Sequence, residues 1–250
     1  MRNSSFGAAR FVRSSDQSLL VYFDRREENC AKQQPLEAEV LVEANEKVRK
    51  LLQVLILRPI VGVRNLHPAY CSLLVKFDAQ KWRHEALEKR LCESLEQLNE
   101  VNLPAPHLLE IPVCYGEEFG PDLEHVAQTH QITPEQVIDL HTSVTYLVYF
   151  LGFVPGFAYL GELPPALATA RHATPRRIVA GGSVGIAGNQ TGVYPCETPG
   201  GWRLLGRTPL AMFRPDREGF SLLSSGDRVR FKAISREQFA AQQFQARRNA

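Results

Sequence analysis

Eleven of the 17 glycines in this 250-residue chain fall between Gly152 and Gly206. A helix interior does not tolerate that density, because each glycine costs about 1 kcal/mol there relative to alanine. Glycines so spaced suit turns, bulges and places where two backbones approach closely. From Tyr146 to Phe231 the runs between glycines and prolines are short, β-branched and aromatic. This half of the chain is therefore expected to close into a compact β-barrel or sandwich.

The first half has another grammar. Residues 19–23 (LLVYF) read as a strand, and Val48, Leu51, Leu52 and Leu55 then recur along one helical face until Arg58-Pro59 ends the helix. Strands are expected over 61–66 and 72–77. A second helix carries Leu87, Leu91, Leu95 and Leu98 and stops at Pro104-Ala105-Pro106, ahead of a strand over 108–114. The order β-α-β-β-α-β is that of a ferredoxin-like domain, with both helices on one face of a four-stranded antiparallel sheet. The fold class is α+β: a ferredoxin-like α/β domain over 1–118, a helical connection over 119–143 and a β-barrel domain over 144–250. Thr133-Pro134-Glu135-Gln136 in the connection is a helix start with a capping Thr, and Ser235 opens a C-terminal helix. Residues 25–36 form an insert before the first helix.

Composition narrows the partners. With 44% apolar residues the chain can bury a full core, and a net charge of +2 gives no general reason to expect nucleic acid or an anionic membrane. No apolar run approaches the ~18 residues of a membrane helix. The five cysteines show no Cys-x-x-Cys spacing, which argues against a disulfide framework or a zinc knuckle and for a reduced, cytoplasmic setting.

Gly181-Gly182-Ser183-Val184-Gly185 formally fits a serine-hydrolase elbow, but more glycine and a β run follow it, where that chemistry requires a helix. Neither a P-loop nor a dinucleotide fingerprint occurs, and the histidines offer no metal motif. His141, near the end of the Thr133 helix, can serve as a general acid or base, or simply favour the helix C-terminus. The densest polar stretch runs from Ser183 to Thr208 and reads either as a concave polar floor or as the outer face of a barrel.

Three strings carry more than their chemistry: GFVPGFAYLG over 152–161, GSVGIAGNQTGVYP over 182–195 and PGGWRLLGRTP over 199–209. With PAYCSLLV (68–75), IPVCYG (111–116), GPDLE (120–124), His141 and Tyr146, the sequence resembles the KipI and allophanate hydrolase subunit 1 family in colinear order over roughly 19–234. The resemblance implies a small α/β domain followed by a cyclophilin-like β-barrel. It also implies a component of an ATP-dependent 5-oxoprolinase, which opens 5-oxo-L-proline to L-glutamate and is inactive alone. The partners implied are a C-type 5-oxoprolinase subunit, or an allophanate hydrolase subunit 2 type protein, and an A-type 5-oxoprolinase subunit. ATP and magnesium would act at the level of the complex. Other members suggest a KipI-like inhibitor of a sensor histidine kinase, or an allophanate hydrolase or urea carboxylase-type partner. By position in the strings, His141 and Gln190 are expected to be catalytic, and Ser183, Thr191, Tyr194, Trp202, Arg207 and Thr208 to bind substrate, with no metal. Arg207 would meet a carboxylate, and Gln190 and Thr191 a lactam. Arg176 and Arg177 are candidates for anionic groups or for a contact between subunits.

Overall fold

The structure is a computed structural model describing residues 4–6, 9–23, 38–216 and 218–248, so the insert over 25–36 lies outside the described residues. The chain divides into two compact units, Met1–Ala105 and Pro106–Ala250.

In the first unit β1 (Ser4–Phe6), β2 (Ala9–Ser15), β3 (Ser18–Tyr22), β4 (Val63–Pro68) and β5 (Ser72–Phe77) form an antiparallel sheet in the order β1-β2-β3-β5-β4. Helices α1 (Ala38–Leu57) and α2 (His84–Leu95) cover one face. Phe11 stands opposite Val21, and Val21 opposite Leu73, so alternation places one apolar row on that face. Val48, Leu51 and Leu55 of α1 and Leu87 and Leu91 of α2 pack on it, each burial stabilising by roughly 1.5–3 kcal/mol. As expected, α1 stops just before Arg58-Pro59.

One strand is differently placed. The segment over 108–114 does not complete this sheet; the place beside β3 is filled by β2. The two are neighbours in sequence, joined through Asp16-Gln17, so their pairing closes a far shorter loop than a strand some ninety residues away would. The boundary accordingly falls at Pro106, not at 118, and the helices over 119–143 belong to the barrel unit.

The second unit contains β6 (Leu108–Tyr115), α3 (Leu123–His130), α4 (Pro134–Thr142), β7 (Thr145–Leu151), β8 (Ala158–Gly161), β9 (Arg176–Val179), β10 (Ser183–Ala187), β11 (Gln190–Val193), β12 (Thr198–Gly200), β13 (Arg203–Arg207), β14 (Arg228–Ala233) and α5 (Arg236–Arg248). Strands β10-β11-β8-β7-β14-β6-β13 form a closed barrel, with β13 pairing back onto β10. Strand β6 pairs β14 in parallel and β13 antiparallel, which hides both its edges. Val113, Val148, Leu160, Val184, Ile186, Val193, Leu205 and Phe231 fill the core. The mixed α/β class with a closed barrel matches the sequence reading. Helix α4 has the expected capping box, with reciprocal bonds between Thr133 and Gln136. Among the described residues no helix is long and apolar enough to cross a membrane, and no group of three or more His, Cys, Asp or Glu could hold a metal. Cys92, Cys114 and Cys196 are free thiols.

Candidate functional site

The last turn of α4 delivers His141 into the barrel interior, where it is fully buried. Phe231 stacks on the ring at 4.6 Å, and the Tyr146 hydroxyl donates to the His141 carbonyl at 2.8 Å. Thr191 Oγ1 donates to the Gly185 carbonyl at 3.1 Å, so its oxygen is left to accept from His141 Nε2 at 2.9 Å. Nδ1 is then the bare nitrogen and accepts from the Tyr115 hydroxyl at 2.8 Å. Every donor in this chain of neutral groups has an acceptor. Burial pulls the His141 pKa down to about 3 and pushes Tyr115 well above its ordinary value, so both stay uncharged near neutrality. In this arrangement His141 and Thr191 brace the wall from inside.

The other sequence-predicted residues divide between the two ends of the β10–β11 hairpin. At one end Ser183 stands opposite Arg207, the Tyr194 amide donates to the Ser183 carbonyl at 2.8 Å, and the Thr208 amide donates to the Gly182 carbonyl at 2.9 Å. Arg207 Nε donates to the Gly181 carbonyl at 2.9 Å. Ser183, Tyr194, Arg207 and Thr208 are thus brought together, but Ser183 is buried and begins a strand, not the helix a nucleophile elbow needs. Gln190 lies at the hairpin turn, about 13 Å away at strand rise. It follows Asn189, whose amide donates to Glu162 at 2.5 Å. Burial raises the Glu162 pKa against the lowering bonds from Asn189 and Tyr149. Trp202 lies across the outer wall, edge-on to Phe157 at 5.4 Å and to Tyr159 at 6.1 Å. A Cβ at Gly192 would come within 3.1 Å of the indole, so the glycine provides the seat for the ring.

Outside the barrel wall the structure assembles a cluster of which the sequence reading named Arg176 as a candidate and Arg203 only as a member of the polar stretch from Ser183 to Thr208. Gly120 makes it: a Cβ there would lie 1.9 Å from the Leu205 carbonyl oxygen, so only glycine lets this segment run against β13. Two residues on, the buried Asp122 accepts from the Leu204 amide at 2.7 Å, from Arg176 Nη2 at 2.8 Å and from His172 Nε2 at 3.0 Å. Burial opposes the charge, but the bonds from Arg176 and Leu204 outweigh it and hold the carboxyl below its usual range. Arg203 anchors Nε on the Ala170 carbonyl at 3.2 Å, and its Nη1 lies 3.0 and 3.2 Å from the two ring nitrogens of His172. In the ring plane that position would collide with the carbon between them, so the guanidinium sits over the ring face. The sequence signal was Asp122 itself, which reads as a helix opener; its side chain makes no cap bond and turns instead to β13.

The family described as carboxyltransferase domain, subdomain C and D, matches residues 10–223, and the chain belongs to it. The chain is similar to the B subunit of 5-oxoprolinase from Bacillus subtilis (strain 168), with 45% identity over 194 residues, 74% of this chain and 81% of that protein. Among solved structures it is similar to TTHA0988 (TM-score 0.71, 35% identity), covering 88% of this chain and 40% of that one. The urea carboxylase of Kluyveromyces lactis shares the fold at TM-score 0.73 and 19% identity, covering 93% of this chain and 22% of that one.

Proposed function

We propose that the chain is the B-type subunit of an ATP-dependent 5-oxoprolinase, a cytoplasmic assembly that opens 5-oxo-L-proline to L-glutamate. The observation that carries this reading is the 45% identity to a 5-oxoprolinase B subunit over most of both chains. A lactam is a resonance-stabilised amide. Transfer of a phosphoryl group to its oxygen would create a leaving group that water can displace, which is why ATP is needed. ATP and its magnesium would act at the level of the assembly. The partners are the C-type and A-type subunits of the same enzyme. That the chain matches 40% of TTHA0988 and 22% of the urea carboxylase fits a component joined to further domains elsewhere.

Of the residues first expected to act, Trp202 and Arg207 are half-buried on the outer wall where substrate can arrive, Tyr194 is buried among Phe157, Val179 and Leu204, and His141 and Thr191 shape the wall from within. The test is to purify the chain with its C-type and A-type partners and measure glutamate release from 5-oxoproline with ATP. Release that requires this chain is expected. Release no greater than in its absence overturns the reading, and preference for allophanate over 5-oxoproline would redirect it to a urea-type assembly.

A further inference from the structure

We propose that Arg203, supported by Arg176 and His172, is the recognition site for the carboxylate of the small cyclic amide on which the assembly acts. The inference rests on the functional reading above and adds to it a place and a ligand group.

The cluster carries more positive charge than it neutralises. Two guanidinium groups converge on one carboxylate, and Asp122 already receives three donors within 3.0 Å. Arg203 comes no nearer to it than 4.0 Å. The imidazole cannot absorb the surplus. A neutral ring has one bare nitrogen, yet His172 Nε2 faces Asp122 and Arg176 Nη1 (2.7 Å), while Arg203 Nη1 lies over the ring. In either tautomer a guanidinium N–H is left without an acceptor. Arg203 Nη2 has no hydrogen-bond partner among the described residues, and 17% of the Arg203 side chain is reached by solvent. A planar fork fixed at Nε with its outer edge unsatisfied matches a carboxylate, which takes two parallel N–H bonds from it.

The surroundings fit the rest of such a ligand. The charges of Arg171 and Arg176 both reach the Tyr194 hydroxyl, and Arg171 also reaches Tyr159. Tyr194 is itself buried; Tyr159, with Trp202 against it, forms an aromatic face next to the cations, on which a five-membered lactam ring can lie.

The test uses the assembled complex with Arg203→Gln. This variant leaves Asp122 its bonds from Arg176 and Leu204, so the buried carboxylate keeps its partners. The KM for 5-oxoproline is expected to rise about 10- to 100-fold, the loss of a charged bidentate contact, with kcat changing less than about threefold. Wild type should also reject the carboxamide analogue of 5-oxoproline, and the variant should lose that discrimination. Arg203→Lys, which keeps the cation but not the fork, should fall between them and guards against a folding failure of the first variant. An active variant complex with unchanged KM and unchanged discrimination overturns the site while the functional reading stands. A raised KM for ATP in place of 5-oxoproline overturns it in favour of a phosphate site. If the wild-type complex turns nothing over, the functional reading fails, and calorimetric titration of that complex with 5-oxoproline decides the site: binding weakened by Arg203→Gln supports it, and equal or absent binding overturns it.

Discussion

The barrel unit holds two histidine networks whose environments are opposite. His141 lies inside the barrel with a donor and an acceptor on either side, all neutral, in a chain that runs one way from Tyr115 to the Gly185 carbonyl. His172 lies outside the barrel among two guanidinium groups and a carboxylate, and the donors outnumber the acceptors. The first network is complete in itself, so a ligand has nothing to add to it. The second is stabilised by Asp122 and still has a free outer edge. Motif position points to His141, which stands among the matching strings, and passes over His172. Burial and donor counting shift that emphasis: they assign structure to the first and recognition to the second.

The largest effect is expected on removing the carboxylate that holds the outer network. Asp122→Ala leaves Arg176, His172 and the Leu204 amide without their common acceptor in a mostly buried place. A loss of about 3 kcal/mol is expected, below the upper range for buried pairs because 29% of the Arg176 side chain remains in solvent. Urea denaturation of the full chain measures it; a loss under about 1 kcal/mol would mean that the cluster is not a built feature.

The inner network sets a different signature, in pH. His141 has a folded pKa of about 3 against about 6.5 when unfolded, so between those values the unfolded chain binds the extra proton. The stability that His141 confers is therefore whole above pH 6.5 and declines as pH falls toward 3, by at most about 1.4 kcal/mol per pH unit. His141→Gln should be less stable than wild type at pH 8 by about 2 kcal/mol, through lost bonds to Tyr115 and Thr191. That gap should narrow as the pH is lowered through this window, since glutamine does not titrate. Denaturation midpoints at pH 8, 6, 5 and 4 check it, and a gap constant with pH would show that the histidine is charged or wet in the folded state.

How far the sequence disclosed this arrangement depends on the range of the interaction involved. Local patterns were legible: the helical stripe from Val48 to Leu55, the Thr133 capping box and the glycine-dense barrel all follow from spacings of a few residues. The assignment of the strand over 108–115 was not, because its alternation suits either sheet and only the pairing partners decide; β14, more than a hundred residues on, fixes it in the barrel. The same limit hid the outer cluster. Asp122, His172, Arg176 and Arg203 span eighty residues, and none forms a motif with another until the Gly120 close approach and the β13 register bring them together. His141 was visible as a polar residue in a matching string, but its place within the barrel depends on the rotation of α4, which spacing alone does not fix.

The smallest effect expected tests whether the two faces of the wall are independent. Thr133 caps α4 through the Gln136 amide, and Gln136 returns a bond to the Thr133 amide. Thr133→Ala removes the first and should cost about 1 kcal/mol, read as a lower melting temperature of the full chain. Because α4 carries His141 and contributes nothing to the outer cluster, the KM for 5-oxoproline in the assembled complex should be unchanged. If KM rises as well, slackness at the start of α4 is transmitted through His141 and Thr191 to the outer wall. The inner network would then be a positioning device for the substrate face and not a support alone.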